Sequence, residues 1–190
     1  MGSITQLLRL ALAANVCCAA LGCAEAPFPI LPPLPSEQLA DFVPLPLNDG
    51  NLRIYQDGLY IIPLSVSGPW TFQGKVMFSL SDEWLFRQNA CYYQNGNLMG
   101  WRWSDTSAAT FIFPKNPAEG RTWTVDGNTC VLTSTRDHVT VPAGSYDCYR
   151  VLVRDSVPYY MWWANGKGIV KMQDTAGVGW KRELKIITLR

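Results

Sequence analysis

Residues Val139–Tyr146 read VTVPAGSY, and this stretch decides how the surrounding chain folds. Pro142 suits the first position of a turn, because its ring fixes φ near −65°. Gly144 suits the end of the turn, because glycine accepts the positive φ that leads into the next strand. The flanking residues are rich in β-branched and aromatic side chains, which is typical of strands. We therefore predict a hairpin with a three-residue loop and a bulge, with arms over about 129–141 and 145–154.

Turn signals recur along the rest of the chain. Asp-Gly or Asn-Gly dipeptides, which favour tight hairpin turns, lie at 49–50, 57–58, 95–96, 126–127 and 165–166. The runs between them are short and rich in Val, Ile, Tyr, Trp and Thr, and none has the periodicity of a helix. The sequence thus predicts a mainly β domain over residues 48–190: an antiparallel curved sheet, half-barrel or sandwich-like, preceded by a proline-rich N-terminal tether.

Two segments precede this domain. Residues 1–23 have one early cation and a short apolar stretch that ends in small residues, as a signal peptide does. The stretch ends in ALGC, which resembles a bacterial lipobox and makes Cys23 the expected lipidation site; plain secretion and a buried N-terminal helix are the alternatives. Residues 24–47 are proline-rich, which predicts an extended linker. We expect the bacterial cell envelope or the extracellular space, with the N-terminal lipid as the only membrane attachment.

The composition excludes several classes of protein. The chain has 190 residues, is 48% hydrophobic and 16% charged, and carries a net charge of +1. Disorder requires lower hydrophobicity and higher net charge, and nucleic-acid binding requires a basic surface. No apolar run reaches the roughly 20 residues of a membrane-spanning helix.

The residues do not form a recognisable catalytic or metal site. No metal-binding, phosphate-binding or nucleophile motif is present, so we expect neither a metal nor a cofactor. His138 is the single histidine, and its neighbour Asp137 would point to the opposite face of a strand. Ser134 would lie about 13 Å from it along the same face, beyond hydrogen-bond reach. We predict no catalytic residue and a non-enzymatic protein, with a hydrolase that uses His138 as an alternative.

Four tryptophans are the candidate ligand-binding residues. Trp101 and Trp103 alternate in sequence and would share one face of a strand. Trp162 and Trp163 are adjacent, so one of them should face outward or line a groove. Grouped exposed aromatic side chains mark a binding surface, whereas buried ones pack the core. Both interpretations stay open from the sequence.

Three cysteines fall in the predicted domain: Cys91, Cys130 and Cys148. An oxidising compartment favours one disulfide among them. The predicted hairpin separates Cys130 from Cys148 by far more than the roughly 7 Å that a disulfide tolerates. We therefore expect Cys91 to pair with one of the other two, with three reduced buried thiols as the alternative.

Three motifs carry a resemblance to a known family. They are FVPLPLNDG at 42–50, VPAGSYDCY at 141–149 and YMWWANGKGIVK at 160–171. With them the chain resembles the uncharacterised bacterial exported proteins and lipoproteins of the TapB type. The resemblance implies an exported, all-β domain with a curved sheet. It implies no established activity and assigns no catalytic residue.

The sequence therefore predicts an exported, lipid-anchored β domain that binds a hydrophobic, glycan or protein ligand and does not bind nucleic acid. A half-barrel carrier of a lipid or other hydrophobic ligand is one alternative. A carbohydrate-binding module is another, and it would require exposed, coplanar tryptophans.

Overall fold

The computed structural model describes residues 42–81, 88–102 and 105–190. Within these ranges the chain forms twelve β-strands, so the predicted mainly β fold is confirmed. The strands, β1 to β12 in chain order, are Leu52–Asp57, Tyr60–Phe72, Lys75–Leu80, Ala90–Gln94, Asn97–Arg102, Asp105–Phe113, Thr122–Val125, Asn128–Val141, Gly144–Arg154, Tyr159–Ala164, Gly168–Asp174 and Lys181–Thr188. In the described ranges, no helix is long and apolar enough to cross a membrane.

The strands form one antiparallel sheet that curves almost fully round. Its order is β6-β5-β4-β3-β2-β1-β12-β11-β10-β9-β8-β7, so the first and last strands are paired and β6 and β7 are its two ends. The Trp123 indole Nε1 on β7 donates a hydrogen bond to the Ile112 carbonyl oxygen on β6, at 2.9 Å. The Trp123 ring also lies edge-on to Phe113, with centroids 5.7 Å apart. The sheet is therefore nearly closed and barrel-like.

The core is rich in large side chains, and the segment before β1 contributes to it. Trp163, Tyr55 and Phe113 are all fully buried or nearly so. Phe42 and Leu45 are buried as well, and the Phe42 ring lies 5.2 Å from that of Phe113. Residues 42–47, which fall within the predicted linker, therefore pack against the folded domain.

Tight turns join the strands as the sequence predicts at two of the Asn-Gly and Asp-Gly sites. In both Asn95-Gly96 and Asp126-Gly127, both residues have positive φ and form a two-residue loop. Gln73-Gly74 forms the same kind of turn with φ of 49° and 73°. The sequence analysis did not include this turn, because Gln adopts positive φ less readily than Asn or Asp.

The β8–β9 hairpin is confirmed, but its predicted loop length is wrong. Val141 pairs with Gly144, so the loop contains only Pro142 and Ala143 instead of three residues. Gly144 has the expected positive φ, at 137°, yet it already belongs to β9. The Ala143 amide donates a hydrogen bond to the Leu184 carbonyl oxygen of β12, at 3.0 Å, which holds the loop against a distant strand.

Candidate functional site

The structure places three of the four candidate tryptophans away from solvent. Trp163 is fully buried, with its ring 4.8 Å from that of Phe113, and Trp101 and Trp162 are only 5% and 8% exposed. Trp103 lies outside the described residues. Of the two interpretations that the sequence left open, the burial of Trp101, Trp162 and Trp163 agrees with core packing, because neighbouring side chains cover their rings.

Trp162 illustrates how the covering works. Its indole Nε1 donates to Asp137 Oδ2 at 3.0 Å, and the same carboxylate oxygen forms an ion pair with Arg150 at 3.1 Å. The Lys171 ammonium lies 5.1 Å from the centre of the ring. Strands β8 to β11 thus each supply one side chain to a packed polar layer. Trp101 instead joins an aromatic cluster, with its ring 5.0 Å from that of Phe72.

His138 has a carboxylate partner that the sequence analysis missed. Its Nδ1 lies 2.9 Å from Asp147 Oδ1, across the β8–β9 pair. A correct two-residue loop would have placed residue 147 opposite residue 138, so the wrong loop length concealed this pair. The two side chains are 68% and 88% exposed, which is the setting of a surface ion pair and not of an enclosed catalytic base.

The predicted disulfide is wrong, because all three described cysteines are free thiols. Cys148 pairs with Asp137 and Cys130 with Val153, so the hairpin register holds Cys130 and Cys148 apart, as expected. Cys91 is fully buried on β4 and is not bonded to either of them. Burial raises the pKa of Cys130 and of Cys148 to about 12, so both thiols are neutral at ordinary pH. The predicted lipidation site, Cys23, lies outside the described residues.

A groove that the sequence analysis did not identify opens where the β2–β3 turn meets the end of β4. Its volume is about 330 Å³. The residues that line it are Gly74, Lys75, Val76, Tyr92, Tyr93 and Gln94.

An ammonium, a phenol and an amide meet in this groove. Lys75 Nζ donates a hydrogen bond to the Tyr92 hydroxyl at 3.1 Å, and that hydroxyl lies 3.5 Å from Gln94 Oε1. In the part of the chain that the structure describes, no carboxylate lies within ion-pair distance of Lys75. The groove therefore offers a positive charge together with hydrogen-bonding groups and aromatic surface.

Tyr93 also lines the groove, and its hydroxyl contacts the segment before β1. It is 38% exposed, and its hydroxyl donates to the Leu45 carbonyl oxygen at 2.8 Å and accepts from the Leu45 amide at 3.2 Å. Burial raises the pKa of Tyr93, whereas the hydrogen bond to Leu45 and the charge of Arg53 act in the opposite direction.

Arg53 is a buried charged residue in the interior of the sheet. It is fully buried on β1, and its Nε donates to the Lys167 carbonyl oxygen at 2.6 Å. Its Nη1 and Nη2 have no hydrogen-bond partner among the described residues. Burial lowers the pKa of Arg53, whereas Tyr55 and Tyr93 act in the opposite direction. One sequence signal could have found it: Arg53 and Tyr55 occupy alternate, buried positions of a strand, where charge is rare.

Comparison with known proteins identifies a shared fold. No family model matches the chain, and no curated protein matches it. A crystal structure from Bacteroides fragilis NCTC 9343, provisionally described as an exported protein with a YmcC-like fold, aligns with a TM-score of 0.51 at 13% identity, over 79% of this chain and 100% of that one. A crystal structure from Parabacteroides distasonis ATCC 8503, provisionally described as a lipoprotein, aligns with a TM-score of 0.45 at 14% identity, over 78% and 100% of the two chains. The first likeness shows that the described fold also occurs in a natural bacterial protein.

Proposed function

We propose that the chain is an exported, lipid-anchored, non-enzymatic β domain of the bacterial cell envelope that binds a ligand in the groove beside Lys75. The observation that carries the proposal is the composition of this groove. A cation that has no carboxylate partner among the described residues, a phenol hydroxyl, an amide and the exposed part of Tyr93 line a recess of about 330 Å³. Such recesses, with aromatic walls and a few convergent polar groups, are the usual form of ligand sites.

Export is supported by the N-terminal sequence and by two resemblances. Residues 1–23 have the pattern of a signal peptide, and a proline-rich linker follows. Three motifs of the chain resemble those of the TapB-type family, whose members are exported proteins and lipoproteins. The Bacteroides fragilis protein with a similar fold is itself described as exported.

Among the ligand classes that the sequence left open, the groove favours a glycan that carries negative charge. The exposed part of Tyr93 offers aromatic surface to a sugar ring, and Lys75 and Gln94 offer hydrogen bonds to hydroxyl and carboxylate groups. A hydrophobic-ligand carrier is less well supported, because Trp163, Tyr55 and Phe113 fill the described interior.

Intact-mass analysis tests the anchor. The chain is expressed in a bacterium that matures lipoproteins, and we expect a product that begins at acylated Cys23. The Cys23→Ser variant is the control, and we expect it to lack the acyl mass. A mature chain that begins after residue 24 without acyl mass would contradict lipidation. A chain that retains Met1 would contradict export as well.

Titration with a charged sugar tests the groove. Trigalacturonate is added to the ¹⁵N-labelled domain at low ionic strength, with neutral galactotriose as the matched ligand. We expect amide resonances of residues 74–76 and 92–94 to shift with trigalacturonate, and Lys75→Gln to weaken binding about tenfold. Lys185→Gln, an exposed lysine on β12, is the control variant and should bind normally. If oleate, a carboxylate-bearing lipid, shifts these resonances and trigalacturonate does not, the glycan assignment is wrong. If neither does, the groove is not a ligand site for these classes.

A further inference from the structure

One end of the sheet carries apolar side chains that the described residues leave uncovered. Residues 59–61, in and after the β1–β2 turn, read LYI, and Leu59 and Tyr60 are 98% and 77% exposed. Val178, in the β11–β12 loop, is 89% exposed, and Val157, in the β9–β10 loop, is exposed as well. Single exposed apolar residues are common on protein surfaces, whereas grouped ones mark a contact surface. We call Leu59, Tyr60, Val157 and Val178 the apolar tips.

Contacts between the loops place the apolar tips at the same end of the molecule. Asp57, the last residue of β1, pairs with both Tyr60 and Arg182, and Arg182 Nε donates a hydrogen bond to Asp57 Oδ2 at 2.9 Å. The Thr175 amide donates to the Pro158 carbonyl oxygen at 3.1 Å, which joins the β11–β12 loop to the β9–β10 loop. The apolar tips therefore lie on three adjoining loops.

The form and charge of this end favour a bilayer over a protein as the surface that it contacts. A stable protein interface buries roughly 800 Å² on each partner, and four side chains at loop ends supply only part of that area. Tyrosine, with an apolar ring and a polar hydroxyl, is typical of the membrane–water boundary. Like Arg182, Lys181 is already paired with an acid, since its Nζ lies 3.0 Å from Glu183 Oε2. Contact with a bilayer would thus depend on apolar burial and not on attraction to anionic lipid.

The chain before residue 42 is long enough to bring the apolar tips to the bilayer that holds the anchor. The Val43 amide donates to Asn165 Oδ1 at 2.9 Å, so the described chain starts beside the β10–β11 turn, at the opposite end of β11 from Val178. The seven residues of β11 span about 23 Å. The 18 residues from 24 to 41 span about 56 Å when extended. This linker can therefore cover the length of the sheet while Cys23 stays in the same membrane.

We propose that the apolar tips insert into the bilayer surface and form a second membrane contact of the anchored domain. This inference rests on the lipid anchor of the proposed function, and it adds to the single attachment that the sequence predicts. Insertion to a depth of roughly 5–10 Å, as for other interfacial segments, would bury Leu59 and Val178 and leave the Tyr60 hydroxyl among the headgroups. Lys75 follows the far end of β2, whose first residue is Tyr60, so the groove would open away from the membrane.

Site-directed fluorescence on the mature, acylated chain tests the inference. Leu59→Cys and Val178→Cys are labelled with the polarity-sensitive dye NBD and reconstituted in phosphatidylcholine vesicles, and Ile186→Cys, an exposed position of β12, is the matched control. The unsubstituted chain should take no label, because its three described thiols are buried. We expect the emission at 59 and 178 to move to shorter wavelength, and doxyl-labelled lipid to quench it at least about twofold more than at 186.

A charge at one tip tests whether the tips act together. Leu59→Asp should abolish the shift and the quenching at 178, because a carboxylate keeps its hydration and does not enter the bilayer, whereas Ile186→Asp should leave both unchanged. Leu59 is almost fully exposed, so its substitution should not affect folding.

The outcomes separate the inference from the proposed function. On acylated protein, equal quenching at the three positions, or none, overturns the inference and leaves the proposed function standing. A shift that requires phosphatidylglycerol and disappears in salt also overturns it, because the contact would then be electrostatic. If intact mass shows no acyl group, the anchor fails, and the inference stands only if vesicles added to the soluble chain still shift the emission at 59 and 178.

Discussion

Trp123→Phe should open the sheet at its two ends. The Trp123 indole supplies the hydrogen bond from β7 to the Ile112 carbonyl oxygen on β6, at 2.9 Å. Phenylalanine keeps an aromatic ring beside Phe113 but has no N–H to donate. The Ile112 residue is fully buried, so water would not readily replace the lost donor.

The size of the stability loss depends on the Ile112 carbonyl oxygen, which is left without its hydrogen-bond donor. A buried polar group that loses its partner costs about 1–3 kcal/mol, which is more than the net value of an average hydrogen bond. We therefore expect the free energy of unfolding to fall by about 1–3 kcal/mol, out of the roughly 5–15 kcal/mol that a domain usually has. Part of the cost should appear as local opening of β6 and β7, because these strands are paired on one side only.

Trp162→Phe is the matched control. It also loses an indole hydrogen bond, of 3.0 Å to Asp137, but β10 is paired on both sides and Asp137 keeps its ion pair with Arg150. Urea unfolding gives the free energies, and hydrogen exchange gives the protection of each strand. We expect the larger loss, and faster exchange in β6 and β7, for Trp123→Phe alone. Equal losses in the two variants, with unchanged exchange in β6 and β7, would refute the reasoning.

Three further predictions concern the hairpin, the thiols and the histidine. Gly144→Val should lower the free energy of unfolding by about 1–3 kcal/mol, because a β-branched residue is strained at a φ of 137°. Pro142→Ala should lower it by about 1 kcal/mol or less. A lower urea midpoint for Pro142→Ala than for Gly144→Val would contradict the observed turn. Burial raises the pKa of Cys130 and of Cys148 from 9.0 to about 12, so the unfolded chain loses these protons first, and stability should fall as pH rises from 9 to 12. The slope should be at most about 1.4 kcal/mol per pH unit for each thiol. Replacement of both by Ala should reduce the slope in pH-dependent urea unfolding, and the remainder should come from Cys91 and from buried tyrosines such as Tyr93; an unchanged slope would show that these two thiols do not contribute. His138→Ala should change the free energy of unfolding by less than about 1 kcal/mol, because the ion pair of His138 with Asp147 is exposed. A larger loss in urea unfolding would show that this pair stabilises the fold.

The fold class could be predicted because it depends on local signals. Asn95-Gly96 and Asp126-Gly127 specify their turns through residues that tolerate positive φ, and Gly144 does so in the longest hairpin. The loop length of that hairpin could not be predicted, because it also depends on the bond from the Ala143 amide to Leu184, about 40 residues further along the chain.

The candidate site could not be predicted, because it arises from non-local packing. The groove joins Lys75 on β3 to Tyr92 and Gln94 on β4, which are close in space and about 17 to 19 residues apart in the chain. The exposure of the tryptophans stayed open from the sequence for the same reason. Whether a ring such as that of Trp162 is exposed depends on which cation from the next strand covers it, here Lys171.

The pairing of β1 with β12 sets the order in which the molecule can be completed. Leu52 faces Thr188, which is 136 positions later in the chain. At the usual rate of about 5–20 residues per second, a ribosome needs roughly 7–27 s to pass from one to the other. Until then, β1 has one unpaired edge, and the strands on either side of it belong to two separate half-sheets. A chain interrupted before Lys181 would keep that edge of β1 open, because β12 supplies its pairing partner.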